Sequence, residues 1–465
     1  MTSWQPSLSG RPGPRYRAIA DALADAVAEG KLQPGDQLPT HRELAQSLGV
    51  TVPTVSRAYR EAGRRGLLSG QVGRGTFVAL ANDRRSAAAM VRLREEEAGE
   101  IDLDLNQLPA AGEQTAALAE VLAELSGEPG ISDLLRYRPN LGLTPHRRSG
   151  AAWVAGSGLK APVERVVLTG GNQHALVIVL RALARPGEVV LCEALAWPGI
   201  RRAADFLGLR LEGVAIDAEG LVPDALAEAC RRFRPKALYC APTAQNPTTA
   251  TMPKARRERI AEIARRFDVA IVEDDVYGPL IEGAPAPLAS YAPDHAFYLA
   301  SLSKGLAAGL RIGYVLAPSA HIGQLAAGVG ATTITVAPLM AEIAARWIGD
   351  GTAERLLAAQ RREIGRRLEL ATSRLGPGNC RWVRYAAHIW YAVPSPWRPA
   401  ELAAACQRRG LRVTPSEVFA MAGDERPSGL RLALGGPSSL ARLEAALGTF
   451  LDVVNAGPGQ ALGTV

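Results

Sequence analysis

From about residue 160 the chain alternates two periodicities, and this alternation constrains its fold more than any other feature. The short apolar runs RVVLT (165–169), EVVLC (188–192), KALYC (236–240), VAIVE (269–273), AFYLA (296–300) and IGYVLA (312–317) are separated by stretches whose apolar residues recur at helical spacing. Apolar runs this short and continuous suit strands buried on both faces. Their alternation with amphipathic helices predicts a mainly parallel sheet layered between helices, an α/β fold. That sheet would form a large lobe over about residues 155–330. Residues 107–154 and 331–453 carry mostly helical patterns with a few strands, so a smaller α+β lobe is expected there. The end of the chain, 454–465, has no periodicity and is expected to be a disordered tail.

The front of the chain is built differently. Residues 15–29 repeat apolar positions at helical spacing, and the turn-rich stretch GKLQPGDQLP follows. Thr40-His41-Arg42-Glu43 has the spacing of a capping box, with Thr40 capping and Glu43 reaching back. The short helix ELAQSLG then stops at Gly49. Thr51 caps a second helix, VPTVSRAYREAGRRG, and LLSGQVGRGTFV reads as a hairpin turning on Gly73-Arg74-Gly75. Helix, short helix, turn, helix, hairpin is the order of a winged helix-turn-helix, an α+β unit whose second motif helix enters the DNA major groove. That helix would offer Thr51, Thr54, Ser56 and Arg57 to base edges and phosphates. Arg42 would reach the backbone and Arg74 a minor groove. Residues 1–80 hold ten Arg/Lys against six Asp/Glu, a net of +4 out of +7 for the whole chain. A positive end suits a polyanion such as double-stranded DNA, although an Arg-rich solvated surface would give the same count. The DNA-binding domain is placed at 12–80, followed by a charged, partly helical linker at 81–106.

The chain has 465 residues, 47% of them hydrophobic, enough core for two or three domains. It contains no uncharged apolar run of membrane-spanning length, and its start, MTSWQPSLSGRPGPRYR, lacks the apolar stretch of a secretory signal. A cytoplasmic protein without a membrane partner is expected. Cys192, Cys230, Cys240, Cys380 and Cys406 form no CxxC pair, which suits reduced thiols and suggests no metal site.

Several polar residues sit where open α/β sheets bind ligands, just past the C-terminal ends of the expected strands. Ser301-Leu302-Ser303-Lys304 follows AFYLA, and Lys304 is one of only five lysines in an Arg-dominated chain. A lysine can form an imine and an arginine cannot. Asp274 and Tyr277 follow VAIVE, and Asn246 lies in QNPT after ALYC. Gly171-Asn172-Gln173 joins RVVLT to a helix and so presents backbone N–H groups at a helix N-terminus, a seat for a phosphate. Trp197 follows EVVLC. Together these fit the needs of pyridoxal 5'-phosphate. Lys304 is the Schiff-base lysine, Asp274 the partner of the pyridinium nitrogen, and Tyr277 and Asn246 the donors to the ring oxygen. Ser301, Ser303, Arg311 and the 171–173 turn hold the phosphate, and Trp197 stacks on the ring.

Two resemblances follow from these residues. Residues 32–78, LQPGDQLPTHRELAQSLGVTVPTVSRAYREAGRRGLLSGQVGRGTFV, resemble the GntR family of DNA-binding regulators. The strings TGGNQHAL, EALAWPG, APTAQNPTTATMP, EDDVYGPL and SLSKGLAAGLRIGY resemble fold-type-I aminotransferases, over roughly residues 105–453. The latter resemblance implies that Arg431, in SGLRLALG, grips a ligand carboxylate, and that Tyr137, in LLRYRPNLG, contacts the phosphate held by a partner subunit. It departs from the family pattern at Trp197, where Tyr is commoner, and at His174, which is read as a packed helix residue. The combination resembles the MocR (GabR-like) family of bacterial regulators. It implies a homodimer, bound pyridoxal phosphate and an effector that is an amino compound or the cofactor itself; an amino compound is expected to be sensed by aldimine exchange at Lys304. A catalytically active aminotransferase carrying a DNA-binding domain is the alternative, since no residue needed for transamination is missing.

Overall fold

The computed structural model describes residues 4, 6, 8, 14–28, 31–33, 36–64, 67–71, 75–78, 100–109, 112–376, 378–421 and 427–461. The chain forms two units, residues 1–95 and 96–465.

The N-terminal unit has the expected order. Helices Arg15–Ala28, His41–Leu48 and Val52–Arg64 precede an antiparallel hairpin, Leu68–Gln71 with Gly75–Val78, in which Leu68 faces Val78. The capping box forms: Thr40 Oγ1 accepts from the Glu43 N–H at 3.3 Å, and the Glu43 carboxylate accepts from the Thr40 N–H at 2.8 Å. Gly49 ends that helix with φ 61°, a left-handed conformation that suits glycine. Apolar residues from every element, including Ile19, Leu23, Leu44, Val55, Tyr59 and Val78, close one small core.

The C-terminal unit is organised by a seven-stranded sheet. Its order is Val166–Thr169, Gly313–Leu316, Ala296–Ser301, Ala270–Asp274, Ala237–Cys240, Val189–Glu193, Arg210–Val214. Only Gly313–Leu316 runs against its neighbours. Six of these strands are the six apolar runs. The seventh, Arg210–Val214, is an edge strand with a charged sequence and partial exposure, so it lacks the buried-strand pattern.

The lobes divide differently from the expectation. Helices Gly112–Ser126, Thr144–Ala155 and Pro338–Gly349 send Val121, Leu125, Trp153, Val154, Ile343 and Trp347 into the same core as the sheet, so they belong to the large lobe. An amphipathic helix does not announce which partner will bury its apolar face. The smaller lobe has its own core and a four-stranded antiparallel sheet ordered Cys380–Arg381, His388–Tyr391, Leu430–Ala433, Thr414–Pro415. Ile101–Asp102 pairs in parallel with Leu411–Arg412, and Leu103 is fully buried in this lobe. The body therefore begins by residue 101, inside the stretch expected to be linker. Residues 81–99 of that linker lie outside the described residues. The end of the chain also differs. A helix runs over Leu440–Ala461 with a break at Gly457, where φ is 72°. The Trp397 indole N–H donates to the Val454 carbonyl at 3.1 Å and anchors it where no tail order was expected. Among the described residues, no helix is long and apolar enough to cross a membrane, and no group of metal-ligating side chains forms.

Candidate functional site

The sheet brings the predicted residues to one edge. Asp274 ends its strand and is buried. Its Oδ1 accepts from Asn172 Nδ2 at 2.8 Å and its Oδ2 from the Tyr239 hydroxyl at 2.7 Å. Burial still raises its pKa, because two neutral donors do not replace water or a cation around a carboxylate. Asn172 was expected to offer its backbone N–H to a phosphate, and its side chain turns to Asp274 as well. Tyr239 was not singled out in the sequence. It lies in a strand buried on both faces, where period gives no direction, but a buried tyrosine hydroxyl needs a partner, and Asp274 is that partner.

Lys304 lies three residues past the strand Ala296–Ser301. Its Nζ donates to the backbone carbonyl of Asn106. Burial of the amine, and then the fields of Arg431 and Arg311, lower its pKa to about 8 against the pull of Asp274. Tyr277 is buried with its hydroxyl accepting from Asn106 Nδ2 at 2.5 Å, which leaves the phenolic proton free to donate elsewhere. Burial pushes that phenol up to about 12, so it stays protonated.

The opposite end of the site is a cradle. Gly171 caps the helix Asn172–Leu183 with φ 86°, and a Cβ there would lie 2.9 Å from Arg311 Nη2. The exposed Arg311 guanidinium thus sits against a helix N-terminus, where dipole and charge both favour a phosphate. Ser301 is buried, and its Oγ accepts from the Ser303 N–H at 3.0 Å. His174 packs as expected. Its Nδ1 accepts from the Gly170 N–H at 2.9 Å, its Nε2 lies 2.7 Å from Thr332 Oγ1, and burial lowers its pKa. The Gln173 side chain leaves the cradle and donates to the Gly199 carbonyl at 3.3 Å. Trp197 is half-buried against the large core. Its ring lies across Gly199, where a Cβ would come within 2.2 Å of it.

Arg431 enters from the smaller lobe, buried in the strand Leu430–Ala433. Its Nη1 donates to Asn246 Oδ1 at 3.1 Å, and its Nη2 donates to Thr414 Oγ1 at 3.0 Å and to the Asp104 carbonyl. On the neighbouring strand, His388 is fully buried, with its ring 5.4 Å from that of Tyr277 and Nε2 3.3 Å from the Gln245 carbonyl. Burial, and then Arg431, hold it down to about 3, so it is a neutral wall residue. Asp104, Asn106, Thr414 and His388 carry no strand-end signal in the sequence and were missed.

Tyr137 is exposed, 78% of its surface open, beside Leu135 at 85%. On the DNA-binding unit, Arg42 and Thr51 are exposed, Thr54 and Ser56 are partly so, and Thr51 Oγ1 lies 2.9 Å from Thr54 Oγ1. Arg57 is exposed but not extended. Its guanidinium lies 4.1 Å from the centroid of the Tyr16 ring. Arg74 lies outside the described residues.

The residues fit pyridoxal phosphate on observations independent of any ligand. Among the described residues, the buried Asp274 carboxylate forms no ion pair, the buried Tyr277 phenol has its proton unused, the Lys304 amine has a depressed pKa, and a glycine-capped helix end has Arg311 beside it.

Comparison with known proteins agrees. Residues 98–447 match the class I and II aminotransferases, and residues 15–78 match the bacterial regulatory proteins of the gntR family. The chain is 28% identical over 445 residues to the HTH-type transcriptional regulator YdeF of Bacillus subtilis, covering 96% of this chain and 95% of that protein. It is 27% identical to the HTH-type pyridoxine biosynthesis transcriptional regulator PdxR of Corynebacterium glutamicum, covering 77% of this chain and 78% of that protein. Among solved structures it resembles the kynurenine aminotransferase of Pyrococcus horikoshii in complex with PMP, with TM-score 0.70, 23% identity, 79% of this chain and 96% of that one. It also resembles LysN of Thermus thermophilus, complexed with N-(5'-phosphopyridoxyl)-L-leucine, with TM-score 0.67, 24% identity, 80% of this chain and 96% of that one. Fold and site chemistry together assign pyridoxal phosphate as the cofactor of the body. The chain belongs to the class I and II aminotransferase family and joins that fold-type-I body to a GntR-type DNA-binding head, the architecture of the MocR regulators.

Proposed function

We propose that this protein is a cytoplasmic transcription regulator that binds double-stranded DNA through its head and an amino compound through its body. The observation that carries this is a single chain with a GntR-type head and a body in which Lys304, Asp274, Tyr277 and Arg431 form one connected polar site. Bound there, pyridoxal phosphate supplies an aldehyde that condenses reversibly with primary amines. Lys304 would hold the cofactor through its amine and would give way to an effector amine. A pKa near 8 leaves a useful fraction of its amine unprotonated near neutrality. Asp274 pairs with the ring nitrogen, Tyr277 and Asn246 with the ring oxygen. The N–H groups at residues 171–173, with Ser301, Ser303 and Arg311, hold the phosphate. Trp197 borders the ring, and Arg431 receives an effector carboxylate. Exposed Tyr137 and Leu135 support a homodimer in which Tyr137 reaches the partner's phosphate. In the head, Arg42, Thr51, Thr54, Ser56, Arg57 and Arg74 face DNA. Effector binding shifts the population between two states that differ in DNA affinity.

The depressed Lys304 amine also suits proton transfer, so a working aminotransferase is the second reading. The test follows the visible absorption of holo-protein against a panel of amino acids and amines, with DNA affinity measured beside it. A spectral change without keto acid release, coupled to altered DNA affinity, supports the sensor. Steady keto acid release establishes the catalyst. A panel that changes neither spectrum nor DNA affinity sinks both.

A further inference from the structure

The segment Asp102–Asn106 reaches both Arg431 and Lys304 in the ligand site. Leu103 N–H donates to the Arg412 carbonyl at 2.9 Å, and Ala433 N–H donates to the Leu103 carbonyl at 2.8 Å, so the segment is clamped between two small-lobe strands. The packing is close. A Cβ on Gly435 would lie 1.8 Å from the Gln107 carbonyl oxygen, and one on Gly436 2.0 Å from that of Asp102. From this clamp the Asp104 carbonyl accepts from Arg431 Nη2, the Asp104 carboxylate accepts from the Thr414 hydroxyl and lies 3.7 Å from Arg431 Nη2, and the Asn106 carbonyl accepts from Lys304.

The geometry of a guanidinium makes this arrangement consequential. A carboxylate can be gripped bidentately by Nη1 with Nη2, or by Nε with Nη2. Both faces need Nη2. Here both protons of Nη2 are engaged, one by the Asp104 carbonyl and one by Thr414, while Nε is buried with no hydrogen-bond partner among the described residues. The Nε half of one face is open and the Nη2 half is held from within the chain.

We propose that Asp104 is an internal occupant of the carboxylate seat on Arg431. A ligand carboxylate takes Nη2 from the Asp104 carbonyl and repels the Asp104 carboxylate, which loosens residues 102–106. That segment is where the chain arrives from the DNA-binding head, so a filled seat is felt at the body end of the linker. The proposal rests on the reading that Arg431 receives a ligand carboxylate. It deepens that reading by making the seat self-occupied and by favouring ligands whose carboxylate can pay back the displaced contact.

The sign of one substitution separates an occupant from a prop. Asp104 is 39% exposed, so its charge is worth little more than a surface pair. Asp104→Ala leaves the backbone carbonyl on Nη2 but removes the repelling carboxylate and its anchor on Thr414, so for an occupant it should tighten carboxylate binding by about two- to fivefold. Removing a prop would weaken it. The probe is propionate, a carboxylate without a reactive amine, titrated into full-length holo-protein and followed by ligand-observed NMR. Hydrogen exchange of residues 101–107 is measured alongside. The expected result is tighter propionate binding in Asp104→Ala, a smaller gain in Asp104→Asn, which still accepts from Thr414, and faster exchange over 103–107 when propionate binds wild type. If Arg431→Ala abolishes binding but both Asp104 variants bind equally or more weakly than wild type, Asp104 is only a prop and the proposal is wrong while the seat stands. If Arg431→Ala binds as wild type does, or wild type does not bind propionate, the seat itself is lost and the proposal with it.

Discussion

The two functional ends of this chain are built on opposite plans. In the head, the described residues proposed to meet DNA are exposed or partly exposed, and one of them, Arg57, rests on a neighbouring ring. In the body, the residues proposed to meet the cofactor ring are buried or half-buried and held by hydrogen bonds, with Asp274 fixed by two donors and Tyr277 by a third. The difference follows from the ligands. A DNA backbone is a large anion that brings its own field, so exposed cations on a rigid frame suffice. A small cofactor must be held in one geometry, and only buried, mutually oriented groups do that at low entropic cost.

The sharpest way to break this comparison is Lys304→Ala. It should abolish the effector response and leave DNA affinity unchanged, measured by fluorescence anisotropy with and without effector. A DNA affinity that collapses with Lys304 would mean that the ends are not separable. Next in size are the supports of Asp274. Asn172→Leu or Tyr239→Phe leaves a buried carboxylate oxygen without its donor and should cost about 1–3 kcal/mol in thermal unfolding of the apo-protein. The loss should shrink when cofactor is bound. A loss unchanged by cofactor would argue against pairing of Asp274 with the ring nitrogen.

The same contrast decides what could be read from the sequence. Six of the seven central strands were legible because each is buried on both faces and reads as an unbroken apolar run. The edge strand Arg210–Val214 was not, because exposure put charges into it. Lys304, Asp274 and Tyr277 were legible because strand ends position them. Asp104, Asn106 and Thr414 were not, because a segment expected to be linker is brought to the site by a two-residue strand pairing, Ile101–Asp102 with Leu411–Arg412, far apart in sequence. For Asn172 only the backbone part was legible, since a helix N-terminus fixes N–H groups and not the direction of a side chain, here toward Asp274.

Burial also gives the body a pH dependence that the head should lack. Glu193 and Glu273 are fully buried at strand ends, and burial raises them to about 8 and about 7 from an ordinary value of 4.5. A carboxyl raised in the folded state contributes stability that is complete below its unfolded pKa and is lost as pH rises through the folded pKa. Above the range where the depressed His388 and His174 act in the opposite direction, the apo-protein's body should therefore lose roughly 1–3 kcal/mol between pH 6.5 and 8. Glu193→Gln should flatten part of that slope, read from unfolding at several pH values. A stability that rises over this window would show these carboxylates to be ionised and paired.

The smallest effect sharpens the comparison from the other side. Thr40→Ala removes a capping box and should cost the head about 1 kcal/mol. Arg57→Ala removes only an exposed guanidinium resting on Tyr16, a contact worth at most about 0.5–1 kcal/mol, so the head's melting should fall by no more than it does for Thr40→Ala. Yet if Arg57 swings from Tyr16 to a phosphate, the same substitution should reduce the salt dependence of DNA binding by about one released counterion. Tyr16→Leu then frees Arg57 without removing it, and should weaken DNA binding only if the ring pre-orients the guanidinium. A residue that hardly affects stability but changes the salt slope is what an exposed site requires. A residue that changed both equally would place the head on the buried plan of the body.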